Sequence, residues 1–502
     1  MGRAKADTDT RSITAGSDFL QLDVSEAPAG GLADWLAGQL RHAISDGRLP
    51  VGSRLPASRV LAADLRVSRG VVTEAYQRLS EDGHVAGRGR AGTVVVAAPL
   101  PPAGPPPPAP APSVSFAGPG LDVFERIRTA PARIDLSPGV PDLAAFPRTA
   151  WLRAERSVLA GLTASELGYG PAQGAPALQL AVARWLARNR GVRVEPDDVL
   201  VVAGFAQALA LLAHVLRADG ITEVAVEDPG SLGVRLQLQS WGVDTPPVPV
   251  DDAGLCVDAL TASGVRAVVL TPAHQFPTGV VLDGERRREL LTWADAGGLV
   301  VEDDYDAEHR YDRPPVPALR SMLGDHVCYA GSVSKLLAPA LRVGWLVVPR
   351  RYRDAFVQAK RNSDLGNPVL AQLVLARLME SGELERHLRL LRRRHRARRD
   401  AMIRALRRHL PDATVHGAAA GLHLLVTLPG DPDDLDDLDL AAAALAGGVK
   451  VQPLSWHSRR PGRPGLVLGY AARTATEIAE GVATIGELVR ARARRPAPAP
   501  RG

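Results

Sequence analysis

LVVEDDYD (residues 299–306) and VCYAGSVSK (residues 327–335) each begin with a short apolar run rich in valine and end in polar and charged side chains. Similar apolar runs, separated by helical segments, lie at residues 199–202, 224–226, 267–270 and 343–348. Because strands that alternate with helices favour βαβ units, the sequence predicts an α/β fold with a mostly parallel sheet. From about residue 355 the pattern turns strongly helical, and strands resume at 423–427 and 465–469, which indicates a smaller α+β subdomain.

A proline-rich segment divides the chain. Residues 97–119, AAPLPPAGPPPPAPAPSVSFAGP, contain too much proline for a helix or a central strand and predict an extended spacer. We therefore expect four parts: a small helical domain at 26–96, a linker at 97–133, the α/β domain at 134–489 and a disordered tail at 490–502.

The composition excludes several classes of protein. The 502 residues carry 60 Lys and Arg against 55 Asp and Glu, a net charge of +5 that is too diluted to identify a partner. Two cysteines, Cys256 and Cys328, cannot build a disulfide framework or a structural zinc site. The N-terminus lacks the apolar core of a signal peptide, and the apolar run 199–216 fits a strand followed by a helix better than a membrane span. The sequence thus predicts a cytoplasmic protein.

The segment before the linker has the pattern of a winged helix. Leu36, Leu40 and Ile44 mark one face of a first helix. Ser58 and Ser68 are N-cap candidates for two short helices joined by a tight turn. HVAGRGRAGTVVV (84–96) predicts two strands around a Gly/Arg-rich turn, which completes the order helix, helix-turn-helix, hairpin.

Arginines and hydroxyl groups are concentrated where such a fold meets DNA. A recognition helix presents the donors of its first turn to the major groove. The candidate contacts are therefore Arg54, Ser58, Arg59, Ser68, Arg69, Thr73 and, in the wing, Arg88 and Arg90. Residues 30–96 hold nine arginines against six acidic residues, so charge alone leaves open a small protein-interaction domain with solvated arginines.

This segment resembles the GntR family of bacterial transcription regulators. The matching elements are G-x-R-L-P-x-S-R (52–59), L-x-V-S-R (65–69), A-Y-x-x-L (75–79) and G-T-x-V (92–95). The resemblance implies binding of double-stranded operator DNA through the wing and through the residues at Arg54, Arg59, Ser68, Arg69 and Thr73.

The most informative motif of the larger part is S-x-S-K at residues 332–335. A lysine at the end of a buried strand is desolvated, which lowers its pKa and makes it a competent Schiff-base nucleophile. A phosphate would then be bound by Ser332, Ser334 and Arg342. A surface lysine is the usual alternative for so short a motif.

The acidic run at 302–306 favours a Schiff-base lysine over a surface lysine. A carboxylate aimed at a pyridine nitrogen keeps the nitrogen protonated, as a pyridoxal ring requires, and Asp303 is placed to do so. Tyr305 lies on the same side of an extended chain and could hydrogen-bond the ring's phenolate oxygen. The alternative is an acidic loop at a sheet edge with some capacity for metal. No histidine lies at a useful spacing along the chain, so we expect no metal site.

Taken together, residues 134–489 resemble the fold type I aminotransferases. Their motifs stand in the expected order: L-x-Y-x-x-x-x-G with Tyr169, the Gly204 turn, V-E-D-P, H-Q-F-P-T-G, E-D-D-Y-D, S-x-S-K and A-x-R-x-G. The resemblance implies that Lys335 binds pyridoxal 5′-phosphate (PLP) covalently, with Asp303 at the pyridinium and Tyr305 at the phenolate oxygen. The phosphate would be held by Ser332, Ser334, Arg342, the turn Gly204, Phe205 and Ala206, and Tyr169 of the partner subunit.

Three departures from that family argue against catalysis. Phe276 replaces the asparagine before P-T-G, and Ser231 replaces the ring-stacking aromatic residue. The arginine that clamps a substrate carboxylate is missing from GLVLGYA, where Leu466 or Val467 stands, and Arg463 is out of register. Without that clamp an amino acid is poorly oriented. We therefore expect cofactor binding without catalytic transamination.

A GntR module joined by a linker to an aminotransferase-like domain resembles the MocR subfamily. The resemblance implies a head-to-tail homodimer that answers to PLP or a PLP–amine adduct and regulates genes of vitamin B6 synthesis or amino-compound metabolism. The alternatives are a working aminotransferase that regulates its own expression and a DNA-binding protein whose large domain is only a scaffold. The basic helix predicted at 386–408 is either a solvated face or a nonspecific contact to DNA phosphates.

Overall fold

The structure is a computed structural model that describes residues 19–28, 30–89, 92–98, 127–311, 316–429 and 436–493. The chain divides into two compact units, residues 1–112 and 113–502. Arg90, most of the predicted linker and the last nine residues of the predicted tail lie outside the described ranges.

The N-terminal unit is a winged helix. Its elements are α1 (Leu32–Ser45), α2 (Ser58–Asp64), α3 (Arg69–Glu81) and the antiparallel pair β1 (Val85–Gly87) and β2 (Thr93–Val95). Leu36, Leu40 and Ile44 are buried in its core, as their spacing predicts. The turn between α2 and α3 is tight enough to hold Arg66 in the left-handed region, at φ 54°.

One of the two predicted caps is wrong. Ser68 caps α3 by accepting a hydrogen bond from the Val71 amide at 3.4 Å. Ser58 is instead the first residue of α2, whose N-cap is Ala57 with no side-chain bond. The Ser58 hydroxyl accepts from Arg69 Nε at 3.4 Å, so it joins the two helices of the motif.

The second unit is built on a mostly parallel sheet. The eight strands described for it stand in the order β4-β11-β10-β9-β8-β5-β6-β7, and the neighbouring pairs from β10 to β6 are parallel. They are β4 (Val199–Val202), β5 (Ala225–Asp228), β6 (Pro247–Asp251), β7 (Gly254–Leu255), β8 (Ala267–Leu270), β9 (Leu299–Asp304), β10 (Val327–Ser332) and β11 (Gly344–Val347). The interior strand β11 is antiparallel to both neighbours.

Helices cover both faces of this sheet, which explains why its strands lack polar alternation. Along β4, Leu200 and Val202 pack in one apolar cluster, and Val199 and Val201 pack in another on the opposite face. The helices of the unit's first half are α4 (Arg148–Gly161), α5 (Pro176–Arg190), α6 (Phe205–Ala218), α7 (Leu232–Ser240), α8 (Val257–Ser263) and α9 (Gly284–Asp295). The apolar run 199–216 is therefore β4 followed by α6, and no helix in the described ranges is long and apolar enough to cross a membrane.

The predicted α+β subdomain is present at the C-terminal end. The helices of the unit's second half are α10 (Arg353–Asp364), α11 (Val369–Glu380), α12 (Glu383–His409), α13 (Asp437–Ala446) and α14 (Ala475–Ala493). α10 and α11 pack against the large sheet, whereas α13 and α14 pack in the core of the subdomain. A sheet ordered β12-β13-β16-β15 and a parallel pair of β3 with β14 complete it. These strands are β3 (Ile134–Asp135), β12 (Thr414–His416), β13 (His423–Thr427), β14 (Val449–Lys450), β15 (Gln452–Pro453) and β16 (Gly465–Gly469). Residues 490–493 belong to α14, so the tail predicted as disordered from residue 490 was placed too early.

Candidate functional site

A cavity of about 390 Å³ lies where β9 and β10 end at their carboxyl edge. Parallel pairing places Asp303 opposite Ala330, so the chain leaves both strands side by side. The cavity is lined by most of the residues that the sequence assigned to a cofactor: Asp303, Tyr305, Ser332, Ser334, Lys335, Arg342, Phe205 and Ala206. A space of this size accommodates a small organic cofactor.

Lys335 is half-buried at the wall of this cavity. Its Nζ donates a hydrogen bond to the Gly139 carbonyl, in a loop almost 200 residues away in sequence. Burial lowers the pKa of the amine below its usual value, although the charges of Asp303 and Asp306 oppose the shift. A lowered pKa leaves more of the amine neutral, which is the form that attacks an aldehyde.

The Asp303 carboxylate lines the same cavity, and no described residue donates a hydrogen bond to it. Burial, with the nearby negative charges of Asp304 and Asp306, raises its pKa well above the ordinary value, and Lys335 opposes that shift. A half-buried carboxylate without a donor favours a ligand that brings a cation or a protonated nitrogen. The acidic end of the cavity therefore suits a pyridinium.

The Tyr305 hydroxyl is occupied by a partner that the sequence did not predict. It donates to the His274 carbonyl at 3.1 Å, and His274 Nδ1 lies 3.1 Å from its oxygen. His274 Nδ1 also lies 2.9 Å from Asp306 Oδ2, and both side chains are buried. Burial and the negative charge of Asp306 raise the pKa of Tyr305, so the phenol keeps its proton.

The acidic run has no histidine at a useful spacing along the chain, but the fold supplies one. The sequence spacing could not reveal it, because His274 lies 32 residues before Asp306 and arrives by tertiary folding. His423 joins the two, and one potential ligand atom from each of the three buried side chains lies within 4.8 Å of the others. All three are residue types that bind metals, and two of them, His274 and Asp306, form a hydrogen-bonded dyad.

Hydroxyls, a guanidinium and a helix N-terminus meet at the other end of the cavity. Ser332 Oγ lies 2.8 Å from Ser334 Oγ. Ser332 pairs with Gly344, which pairs with Val202, so β10 and β4 end beside the start of β11. Gly204 follows β4 with φ 82° and ψ −179°, and a Cβ there would lie 3.3 Å from Arg342 Nη1. Only glycine fits this backbone, and the group of donors suits a phosphate.

Tyr169 does not line this cavity. Its side chain is 94% exposed and borders a separate hollow with Asp364 and Leu365. Nothing within the chain's own described residues brings it to Lys335, so its predicted role requires a second copy of the chain.

The remaining wall of the cavity carries aromatic and amide side chains in place of a carboxylate clamp. The Phe276 ring centroid lies 5.0 Å from the rings of both His423 and His457. Burial lowers the pKa of each histidine to about 3, so both are neutral near pH 7. Gln452, Gln237 and Thr271 complete the residues that the sequence reasoning missed here.

The positions that the sequence flagged for a clamp do not supply one. Leu466 and Val467 are buried in β16, and Arg463 borders a different hollow. Lys335 and Arg342 are the cationic side chains among the described residues that line the cavity.

The winged helix presents a separate candidate surface. Arg54, Arg59, Ser68, Arg69, Thr73 and Arg88 are exposed, and Ser58 is half-buried. In the described ranges, no salt bridge neutralises Arg54, Arg59, Arg69 or Arg88, whereas Arg41 pairs with Asp82 at 2.5 Å and Arg48 with Asp46 at 2.8 Å. The Thr73 hydroxyl donates to the Arg69 carbonyl at 2.9 Å. The unpaired arginines therefore gather on the helix-turn-helix and the wing.

Two family models match the chain. Residues 32–95 match the bacterial regulatory proteins of the gntR family, and residues 132–485 match aminotransferase class I and II. Among solved structures, a kynurenine aminotransferase of Pyrococcus horikoshii in complex with PMP is 26% identical, with a TM-score of 0.67 over 74% of this chain and 94% of that one. The α-aminoadipate aminotransferase LysN of Thermus thermophilus is 27% identical, with a TM-score of 0.65 over 74% and 95%.

Relatives with both parts are regulators by name. The probable rhizopine catabolism regulatory protein MocR of Rhizobium meliloti is 34% identical over 88% of this chain and 91% of its own length. The pyridoxine biosynthesis transcriptional regulator PdxR of Corynebacterium glutamicum is 33% identical over 90% and 95%. The three resemblances drawn from the sequence, to the GntR family, the fold type I aminotransferases and the MocR subfamily, are confirmed. The chain belongs to the MocR subfamily of GntR transcription regulators, in which a helix-turn-helix domain is fused to a fold type I aminotransferase domain.

Proposed function

We propose that this protein is a PLP-responsive transcription regulator. Its winged helix binds an operator in the bacterial cytoplasm, and its aminotransferase-like domain senses PLP or a PLP–amine adduct. One observation carries the proposal. A single cavity contains an amine of lowered pKa, a half-buried carboxylate without a donor and a group of donors suited to a phosphate, and no described residue there clamps a carboxylate.

The residues present fit PLP. Lys335 would be the amine that captures the aldehyde, Asp303 would face the ring nitrogen, and Ser332, Ser334 and Arg342 would hold the phosphate with the N-terminus of α6. When bound, PLP supplies an electrophilic carbon that reacts with amines. The chain's own contribution is to orient the ring and, through burial, to lower the pKa of the Lys335 amine.

Capture of a ligand requires Lys335 to leave the Gly139 carbonyl. The loop that carries Gly139 is anchored three residues later by the buried side chain of Asp142. Its carboxylate forms ion pairs with Arg394 and Arg398 of α12, each at 2.8 Å. A ligand changes DNA affinity only if it binds two states of the protein unequally. Release of the Gly139 loop on ligand capture is a local change that would distinguish the ligand-bound state of the protein from its free state.

We further propose that the protein acts as a head-to-tail homodimer. The 94% exposure of Tyr169 supports this, because a phosphate contact from that side chain is possible only across a subunit boundary. The relatives MocR and PdxR are named for rhizopine catabolism and pyridoxine biosynthesis. We favour genes of vitamin B6 synthesis, or of amino-compound metabolism, as the targets of this protein.

Visible spectroscopy tests the cofactor proposal directly. Purified protein titrated with PLP should develop a visible band that free PLP lacks, and borohydride reduction should add the cofactor's mass to the peptide containing Lys335. The Lys335→Ala variant should show neither change. A normal band or a labelled peptide elsewhere in that variant would contradict the assignment.

A working aminotransferase is the second candidate, because Lys335, Asp303 and Arg342 stand together as in the enzymes of this fold. Release of keto acid from a panel of amino acids by the PLP-loaded protein would support it. The neutral wall of Phe276, His423 and His457 argues against productive binding of an amino acid.

A further inference from the structure

The longest helix among the described residues has two chemically opposite faces. α12 runs for 27 residues from Glu383 to His409. Its inner face buries apolar side chains, among them Leu384, Leu388, Leu391, Met402 and Leu406. The opposite face carries exposed arginines, which the proposed cofactor site does not use.

Five of these arginines form a straight stripe. Arg389, Arg393, Arg396, Arg404 and Arg407 are exposed, and their separations of four, three, eight and three residues keep them on one side of a helix. At 1.5 Å per residue the stripe extends for about 27 Å. We call these five residues the arginine stripe.

Salt bridges within the described part of the chain do not neutralise the arginine stripe. Across the described ranges, none of its members forms a salt bridge, whereas other arginines of α12 do. Arg386 pairs with Glu383 at 2.7 Å, and Arg394 and Arg398 pair with Asp142. Asp400, the acidic residue on the same face, is held by Arg399 at 2.7 Å. The stripe therefore presents positive charges whose mutual repulsion the fold does not offset.

A neighbouring helix extends this positive surface. Arg490, exposed near the end of α14, donates a hydrogen bond to the His409 carbonyl at 3.0 Å, which places a further guanidinium at the C-terminal end of α12. Guanidinium groups favour phosphate because they donate two parallel hydrogen bonds to it. Regularly spaced arginines without aromatic residues between them match a polyanion better than a protein hot spot.

We infer that the arginine stripe is a second DNA-binding surface, which holds the phosphates of duplex DNA without regard to base sequence. This inference rests on the proposed binding of DNA by the winged helix. Once that module is bound, the tethered large domain meets the flanking duplex at a high effective concentration, so several weak phosphate contacts add usefully to affinity. The stripe spans somewhat less than one turn of B-DNA, about 34 Å.

Salt dependence of binding tests the inference in the full chain. Each phosphate contact contributes about 0.9 to the slope of log K against log salt. The stripe variant carries Arg→Gln at its five positions, and a control variant carries R184Q, R288Q, R350Q and R361Q, four exposed arginines that form no salt bridge within the described ranges. Each set is also placed in an R59A/R69A background, which disables the winged helix. The probe is a 60-base-pair duplex of random sequence.

The stripe variant should lose affinity at least tenfold at low salt and lower the slope by about 2 to 4, in both backgrounds, with the control unchanged. Circular dichroism should show the same helix content, because glutamine is as good a helix former as arginine. If the stripe variant has the same affinity and salt slope as the control variant, the inference is overturned. If only the R59A/R69A substitutions reduce binding, the winged-helix proposal still stands. Failure of every variant to change the slope would defeat both. Equal competition by poly-L-glutamate would assign the stripe to an acidic protein and would also overturn it.

Discussion

The ε-amino group of Lys335 donates a hydrogen bond to the main-chain carbonyl of Gly139. The two residues lie 196 positions apart in the sequence and meet at the wall of the candidate cofactor cavity. Gly139 has φ 76°, and a Cβ added to it would lie 3.0 Å from Lys335 Nζ. The amine is therefore positioned by a glycine whose lack of a side chain leaves room for it.

Gly139→Ala should weaken PLP binding by crowding this amine. The substitution also strains a left-handed backbone, at a cost of roughly 1–2 kcal/mol. Gly220→Ala is a matched control, because Gly220 has φ 74° and open space where the Cβ would stand. We expect a clear rise in the Kd for PLP, measured by visible absorbance, in Gly139→Ala only. An equal effect in both variants would show that backbone strain alone matters.

Gly204→Ala should discriminate between phosphorylated and unphosphorylated ligands. Its Cβ would meet the Arg342 guanidinium at 3.3 Å, so the loss should fall on the phosphate contact. We expect PLP affinity to drop at least tenfold while pyridoxal, which lacks the phosphate, is bound about as before. Gly264→Ala, with φ 70°, ψ 3° and no neighbour within 4 Å, is a control for the effect of a side chain at positive φ. A parallel loss for PLP and pyridoxal would contradict the placement of the phosphate.

The rate of PLP capture should depend on pH through Lys335. Because burial lowers the pKa of this amine, its neutral form should predominate at a lower pH than that of a free lysine. Stopped-flow absorbance should show a rate that falls as pH drops through the pKa of Lys335, with its midpoint below that of Nα-acetyl-lysine under the same conditions. A midpoint equal to that of the free amine would mean that the cavity does not desolvate Lys335.

Arginines of the winged helix should differ in their effect on DNA binding according to their pairing. Arg59→Ala removes an exposed, unpaired guanidinium and should lower the salt slope by about 1. Arg48→Ala removes one that Asp46 already neutralises at 2.8 Å, so it should change the slope little. Fluorescence anisotropy with a labelled duplex measures both. Identical slopes for the two variants would argue that the predicted surface is not the one that meets DNA.

The sequence predicts those parts of the fold that depend on residues close together in the chain. The order of valine-rich strands and helices predicts the parallel sheet, and the two runs that end at Asp303 and Lys335 lie side by side in it. Short motifs also locate both ends of the cavity, because a strand exit fixes which side chains reach the carboxyl edge of a sheet. The cap assigned to Ser58 fails since its hydroxyl prefers Arg69, a tertiary partner.

Contacts distant in sequence account for what the sequence did not predict. His274 reaches Asp306 and Tyr305 across about 30 residues, and His423 and His457 approach Phe276 from the smaller subdomain. No spacing rule connects such positions, because their distance depends on how two layers pack. Gly139 is invisible to sequence reasoning for the same reason, since nothing around it marks a partner for a lysine 196 residues away.

Ligand-dependent DNA affinity, compared between the native chain and Lys335→Ala, tests the central claim most directly. Duplexes tiled across the intergenic region upstream of the gene would be titrated with each protein, with and without saturating PLP. We expect PLP to shift the affinity of the native chain at one of these duplexes at least several-fold, and Lys335→Ala to bind that duplex with an affinity that PLP leaves unaltered. An identical PLP-induced shift in Lys335→Ala would contradict the claim that this lysine is the sensor.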